Sequence, residues 1–169
     1  ADLFEDGDLF SSCPECENGG PGDPRHVGDV DGYRNFLVEQ TDIVRQSFRK
    51  IGKDILPNLH SMNGDVARLV MDKETTSRVG GYVVVDHYVE TPEKLVADIK
   101  DFAKQSGGSI ILGEFGAPIP DIHGNMTEQQ QAAWVGKALD LLAKERSVVG
   151  LNYWTSFGGS TKLWNDNGT

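Results

Sequence analysis

Two apolar runs separated by a capped helix constrain the fold of this chain more than any other feature. Residues 82–85 (YVVV) and 109–112 (SIIL) are short, follow glycines and are rich in β-branched residues, as is typical of buried strands. Between them, Thr91 and Pro92 can cap and open an amphipathic helix, and a Gly-Gly pair at 107–108 can end it. This order predicts βαβ units and a parallel sheet.

The same alternation extends along most of the chain. Apolar residues at three- and four-residue spacing predict helices at 30–51 and 63–77, the first with Asp29 or Asp31 as N-cap. A third helix starts from a capping box, Thr127 with Gln130. It carries Trp134 on its apolar face, so we expect Trp134 in the core.

Two further segments complete the pattern: a short strand or extended segment at residues 55–60 and a strand at 148–151. Pro57 weakens the first of them, because proline is poorly tolerated inside a paired strand. We therefore expect one domain over residues 1–169, with an acidic Gly/Pro-rich loop at 1–31 and alternating helix–strand units at 32–169.

The chain has 169 residues, a net charge of −10 and a pI near 4.7. An acidic surface argues against nucleic acid or an anionic membrane as the main partner. No apolar run approaches the roughly 18 residues of a membrane helix. No signal peptide is visible, so the sequence leaves open a cytosolic chain, a secreted chain already processed, or a piece of a longer one. No glycine-rich phosphate loop follows a strand, and we expect no cofactor.

The two cysteines, Cys13 and Cys16, form a single C-x-x-C in a loop rich in glycine, proline and acid. A zinc site needs four ligands, and His26 could supply only a third. A redox motif would open a helix after a strand. For these two cysteines, a local disulfide or two free thiols are therefore favoured over a metal site. A metal site is in turn favoured over a redox motif.

Polar and aromatic residues follow the predicted strands, where functional groups gather in parallel α/β folds. The strand ends carry Glu114, the run Asp86-His87-Tyr88, the run Asn152-Tyr153-Trp154 and, less clearly, His60. The flat face of a Trp ring can pack against the C–H groups of a sugar ring. The side chains of His, Tyr and Asn can form hydrogen bonds with its hydroxyls. A buried-strand carboxylate such as Glu114 is costly unless it is paired or used.

Plainer interpretations exist for several of these residues. His87 could be a satisfied core histidine, and Tyr88 and Tyr153 ordinary rim aromatics. Trp154 could cap the core. Trp164, in a polar loop, is either a sugar-subsite residue or a loop anchor.

Three segments together carry a resemblance to a known group of enzymes. Residues 111–116 (ILGEFG) resemble the strand that presents the nucleophile in clan A retaining glycoside hydrolases, such as family-five cellulases and mannanases. Residues 85–88 (VDHY) and 151–154 (LNYW) resemble the preceding and last strands of that clan. The resemblance covers roughly residues 30–169 and implies the C-terminal half of a (β/α)8 barrel, a partial TIM barrel of about four βα units.

The resemblance implies a role for each matched residue. Glu114 would be the nucleophile, with Tyr88 orienting it. Binding of the substrate would fall to His87, Asn152, Trp154 and Trp164, without a metal ion. The clan's acid/base follows an Asn at the end of strand four, and this chain contains no Asn-Glu pair. Residues 1–4 resemble the loop just after that position.

We therefore expect a fragment of a retaining glycosidase acting on a β-linked glycan, inactive or weak without its acid/base half. A complete barrel takes about 250 residues. An N-terminal half-barrel or a second copy of the chain would pair with the exposed sheet edges. Two alternatives remain: a non-catalytic carbohydrate-binding half-barrel, and an unrelated α/β enzyme with Asp86, His87 and Glu114 as metal ligands.

Overall fold

A computed structural model describes residues 3–55, 58–165 and 167–168. Its four strands form one parallel sheet in the order β1-β2-β3-β4, so each strand pairs with the next along the chain. The bounds are Ser61–Asn63 (β1), Tyr82–Asp86 (β2), Ser109–Phe115 (β3) and Val148–Tyr153 (β4). The predicted α/β partial-barrel architecture is confirmed.

Helices precede and connect these strands. They are Pro24–Val27 (α1), Val30–Lys50 (α2), Gly64–Val70 (α3), Lys73–Arg78 (α4), Pro92–Ser106 (α5), Pro120–His123 (α6) and Glu128–Leu142 (α7). None of the helices in the described residues combines the length and apolar character needed to cross a membrane.

The predicted caps are confirmed at three helices. The side chains of Asp29, Thr91 and Thr127 accept hydrogen bonds from the first turns of α2, α5 and α7. Gly107 ends α5 in the left-handed conformation, at φ 67°. Trp134 is buried in the core, as expected.

Two predicted boundaries differ from the structure. The first strand of the sheet lies at Ser61–Asn63, just after the short strand or extended segment predicted at 55–60. Within that segment Asn58 forms a parallel bridge with Phe10, and Leu56 and Pro57 lie outside the described residues. His60 therefore precedes β1 and is buried beside Thr41, with Nε2 3.1 Å from the Thr41 hydroxyl. The helix expected at 63–77 is split into α3 and α4, because Met71 leaves the helical conformation and Asp72 caps the next helix.

The predicted loop at 1–31 contains local structure. Residues Cys16–Asn18 form a 3-10 turn and α1 follows at Pro24. Cys13 and Cys16 form a disulfide. Phe4, Phe10 and Phe48 pack edge to face, which fixes the segment against α2. Ala1 and Asp2, part of the clan-like loop, lie outside the described residues.

The two faces of the sheet differ. One face packs against the helices and forms the core, through residues such as Val83, Val85 and Leu112. The other, which we call the inner face, borders an apolar cavity of about 550 Å³ lined by Tyr82, Val84, Ile111, Leu151 and others. A barrel would have the same division, with helices outside and strand side chains inside.

Candidate functional site

A β-bulge in β3 places Glu114 on the inner face. Val85 pairs with Leu112, but Asp86 pairs with Glu114, so Gly113 is the extra residue. Leu112 and Phe115 are both fully buried in the core, although they are three positions apart and a regular strand would place them on opposite faces. The bulge therefore turns Glu114 to the face opposite the core, as bulges beside active sites often do.

Gly113 also makes room for a second carboxyl. A Cβ atom on Gly113 would lie 2.3 Å from Oδ1 of Asp86. Asp86 is only 4 % exposed, and this oxygen has no hydrogen-bond partner among the residues that the structure describes. A glycine is thus required where the two strands bring Asp86 beneath Glu114.

Tyr88 binds Glu114 directly. Its hydroxyl donates a hydrogen bond of 2.9 Å to Oε2 of Glu114. Burial and the neighbouring carboxylate raise the pKa of Tyr88, so the phenol keeps its proton and remains a donor. Both side chains are half-buried, which leaves them accessible from the open rim.

Asn152 and Trp154 approach Glu114 from the other side. The Asn152 amide donates to the carbonyl of Gly113 at 3.0 Å, and the Trp154 backbone N–H donates to the carbonyl of Phe115 at 2.9 Å. The Trp154 side chain is 49 % exposed. Of the residues predicted for the site, Tyr88 therefore contacts Glu114, while Asn152 and the Trp154 backbone bond to the residues on either side of it. The roles of Asn152 and Trp154 in sugar binding stay predictions.

His87 points away from this group. Its Nε2 lies 2.9 Å from Oδ2 of Asp98 on α5, and its ring packs on Phe102. Strand side chains alternate between faces, so Asp86 and Tyr88 share the inner face and His87 takes the other. Its role in sugar binding stays a prediction.

Trp164 also lies apart from Glu114. It lines a surface cavity formed with α7, beside Leu163 and Met126, and is 49 % exposed. Its role as a subsite residue stays a prediction.

The electrostatics of the rim are unusual because carboxyls gather there. Burial raises the pKa of Asp86 to about 7, and the charges of Glu114, Glu15 and Glu17 add to the shift. Burial, with Glu114 and Glu17 nearby, also raises the pKa of Glu15. Perturbed carboxyls of this kind cluster at functional sites.

From the sequence, Asp86 was a candidate only as a metal ligand in one alternative, and Glu15 had no assigned role. Asp86 could have been found from the two-residue period of β2, since Tyr88 faces Glu114. Glu15 had no such signal, because it sits in a Gly/Pro-rich segment without strand periodicity.

The metal-site alternative fits the geometry poorly. His87 lies on the opposite face from Asp86 and its Nε2 is engaged by Asp98. Within residues 3–55, 58–165 and 167–168, no group of three or more His, Cys, Asp or Glu side chains is placed to hold a metal ion.

Solved structures of glycoside hydrolases share this fold. An exo-β-1,3-glucanase of GH128 subgroup V from Cryptococcus neoformans superposes with a TM-score of 0.60 at 13% identity, over 85% of this chain and 60% of its own. A subgroup VI exo-β-1,3-glucanase from Aureobasidium namibiae gives 0.60 at 11% identity, over 86% and 60%. A β-D-glucuronidase from Dictyoglomus thermophilum gives 0.56 at 16% identity, over 87% and 28%.

The chain thus spans at most 60% of the length of these enzymes. No protein-family model matches the sequence, and no curated protein sequence matches it significantly. At these identities the likeness establishes the fold alone, a partial α/β barrel.

Proposed function

We propose that this chain is the catalytic C-terminal part of a retaining glycoside hydrolase of the clan A type, with Glu114 as nucleophile. The observation that carries the proposal is the bond of 2.9 Å between the Tyr88 hydroxyl and Glu114 Oε2, on the inner rim of a partial barrel. Fold likeness to β-glucanases and a β-glucuronidase supports a β-linked oligosaccharide or polysaccharide as substrate.

In the proposed reaction, the residues at the rim have separate tasks. Glu114 attacks the anomeric carbon, and the glycosidic bond breaks as a covalent glycosyl ester forms on its carboxylate. A second carboxyl donates a proton to the leaving oxygen and later takes one from the water that cleaves the ester. Tyr88 holds Glu114 in the attacking orientation, while Trp154 offers its exposed ring and Asn152 its amide to the sugar.

In a complete enzyme of this kind, further strands would cover the inner face of the sheet. Val149 and Leu151 on the edge strand β4 are 56 % and 46 % exposed beside the apolar cavity. Exposed edges and apolar faces invite further pairing. We propose that an N-terminal half-barrel covers this face.

Sedimentation velocity at micromolar concentration tests the need for a cover. We expect self-association through the exposed sheet edge when the chain is alone. A discrete dimer would instead identify a second copy as the cover. A clean monomer that unfolds cooperatively would contradict the proposal.

Turnover tests the nucleophile. Substrates are β-1,3-glucan oligosaccharides and the 2,4-dinitrophenyl β-D-glucoside and β-D-glucuronide. We expect Glu114→Gln to lower turnover by at least about 10³-fold, because the covalent step is lost. The matched control is Glu39→Gln, an exposed glutamate on α2, which should leave turnover unchanged. Equal turnover by Glu114→Gln and wild type would refute the assignment. Sugar affinity in calorimetry without turnover would favour the non-catalytic alternative.

A further inference from the structure

We propose that Glu15 is the general acid/base that partners Glu114, so that this chain holds both carboxyls of the reaction. This inference rests on the proposed function, because retaining hydrolysis needs a second carboxyl about 5–5.5 Å from the nucleophile. It replaces the expectation that the acid/base lies outside the sequence.

The segment that carries Glu15 extends the sheet beyond β1. Phe10 and Asn58 form a parallel bridge, and the Leu59 N–H donates to the Phe10 carbonyl at 2.8 Å. Further along, the Glu15 N–H donates to the Ser61 carbonyl at 2.9 Å. The segment from Phe10 to Glu15 therefore runs beside β1 in the same direction, as a fifth strand would.

Side chains strengthen this pairing and define its inner face. The Ser12 N–H donates to Oδ1 of Asn58 at 2.7 Å, and the Asn58 amide donates to the Ser12 hydroxyl at 2.5 Å. Leu9, Ser11 and Pro14 border the same cavity as the inner-face residues of β2 and β3. Glu15 thus stands at the carboxyl end of this strand-like segment, on the rim where Glu114 ends β3.

Electrostatics link Glu15 to the predicted nucleophile. Burial and the charge of Glu114 raise the pKa of Glu15, and the charge of Glu15 contributes to the raised pKa values of Asp86 and Tyr88. A carboxyl that keeps its proton to higher pH is the kind that a general acid requires.

The other carboxyls at the rim are less suited to proton transfer. Glu17 is buried, and its Oε1 accepts from the Asn63 N–H at 2.7 Å and from the Asn63 amide at 3.1 Å. Its Oε2 lies 3.4 Å from the Tyr33 hydroxyl. Asp86 is buried beneath Glu114. Glu15 is half-buried and accepts one bond, 3.1 Å from the Asn18 amide, so it can meet a leaving group.

The disulfide fixes the direction of Glu15. Cys13 and Cys16 enclose Pro14 and Glu15 in a closed loop, and Glu15 adopts the left-handed conformation at φ 46°. A non-glycine residue at positive φ is uncommon and is a frequent mark of functional loops. The C-x-x-C motif thereby acquires a function, holding Glu15 at the rim.

Leaving-group dependence separates an acid from a structural residue. A 2,4-dinitrophenolate departs without a proton, whereas a 4-methylumbelliferone needs more assistance. With the β-D-glucosides and β-D-glucuronides of both, Glu15→Gln should lose about 10²–10⁴-fold on the poorer leaving group. It should lose less than about 10-fold in the glycosylation step with 2,4-dinitrophenyl glycosides, for which acid catalysis is dispensable. Azide should restore turnover to Glu15→Ala and yield a β-glycosyl azide.

Carboxyl titration followed by NMR gives a readout independent of turnover. In protein with 13C-labelled glutamate, we expect Glu15 to titrate above the ordinary glutamate value of about 4.3. Its midpoint should fall in Glu114→Gln, because a like charge is gone, and should not move in Glu39→Gln.

The outcomes distinguish the two proposals. If Glu114→Gln abolishes turnover but Glu15→Gln matches wild type on both leaving groups, Glu15 is not the acid and the proposed function stands. If wild type turns over neither substrate, the proposed function fails for the chain alone, and the titration still decides whether Glu15 and Glu114 interact. If Glu15 titrates with the same midpoint in Glu114→Gln as in wild type, the two carboxyls do not interact and the proposed pairing is wrong.

Discussion

Two buried aspartates on opposite sides of the sheet show how the same side chain serves different ends. Asp98, on α5, lies between three potential cations: Arg68 at 2.7 Å, His87 at 2.9 Å and Lys94. Burial opposes ionisation of Asp98, but hydrogen bonds from Lys94 and His87 outweigh it and lower the pKa. Asp86, on β2, has no cation beside it within the described part of the chain. Burial and the charge of Glu114 raise its pKa to about 7, although a hydrogen bond with Ser61 opposes the shift.

The two sides of the sheet therefore differ in role: the helix side contains stabilising charge pairs, and the inner side contains the carboxyls of the candidate site. On the helix side, the Asp98 network ties α5 to α3 and to the residue after β2, and its charge is compensated. On the inner side, burial and the charge of Glu114 raise the pKa values of Asp86 and Glu15. A fold keeps such an arrangement where function requires it, at the expense of stability.

Removal of the compensated charge should have the largest effect on stability. We expect Asp98→Asn to lower the free energy of unfolding by about 3–5 kcal/mol, because the compensating negative charge is lost and an amide NH2 replaces one of the two accepting oxygens. Urea unfolding at pH 7 measures it. Asp101→Asn, an exposed aspartate on the same helix, is the matched control and should change little. Equal effects of the two substitutions would contradict a structural role for the network.

Asp86→Asn should instead raise the free energy of unfolding at neutral pH. A folded pKa near 7 against 3.8 unfolded means that the folded chain binds more protons, so wild-type stability falls from about pH 4 to 7 and is level above. Asn cannot ionise, and we expect the variant to gain about 2–4 kcal/mol relative to wild type between pH 4.5 and 7.5.

Urea unfolding of both proteins at the two pH values measures this gain. Burial lowers the pKa of His60 to about 4, which makes stability rise with pH between about 4 and 6.5. That effect is common to both proteins and cancels in their difference. A difference that does not change with pH would show that Asp86 ionises freely in the folded chain.

Gly113→Ala should have a smaller effect. The new methyl group would lie 2.3 Å from Asp86 Oδ1 and 3.1 Å from Val84 Cγ1, and such overpacking costs about 1–3 kcal/mol. Gly136→Ala on α7 meets no atom within 4 Å and should be neutral or stabilising. In an Asp86→Ala background, the cost of Gly113→Ala should shrink. An unchanged cost would mean that Asp86 does not fill this space.

The sequence predicted those parts of the fold that local chemistry decides. The caps at Asp29, Thr91 and Thr127 place three helices, and β-branched runs place β2 and β3. The first strand was misplaced because its three residues, Ser61–Asn63, have no apolar run, and pairing with β2 determines them.

The site could be predicted only in part. Glu114, Tyr88, Asn152 and Trp154 were predicted from their places after strands. The structure joins the Tyr88 hydroxyl to Glu114, and the Asn152 amide and the Trp154 backbone to the neighbouring residues Gly113 and Phe115. Their roles in the reaction stay predictions. The bulge at Gly113 depends on contacts with Asp86 across the sheet, which no local pattern encodes. Glu15 was not predicted because its position depends on a contact between distant parts of the chain. Its N–H bonds to the carbonyl of Ser61, about 46 positions away.

Covalent trapping tests the central claim most directly. The protein is incubated with 2,4-dinitrophenyl 2-deoxy-2-fluoro-β-D-glucoside or the corresponding β-D-glucuronide, and the labelled peptide is mapped by mass spectrometry. The fluorine slows hydrolysis of the ester, so we expect one glycosyl group on Glu114 in wild type and none in Glu114→Gln. Labelling of another residue, or equal labelling of Glu114→Gln, would contradict the assignment of Glu114 as the nucleophile.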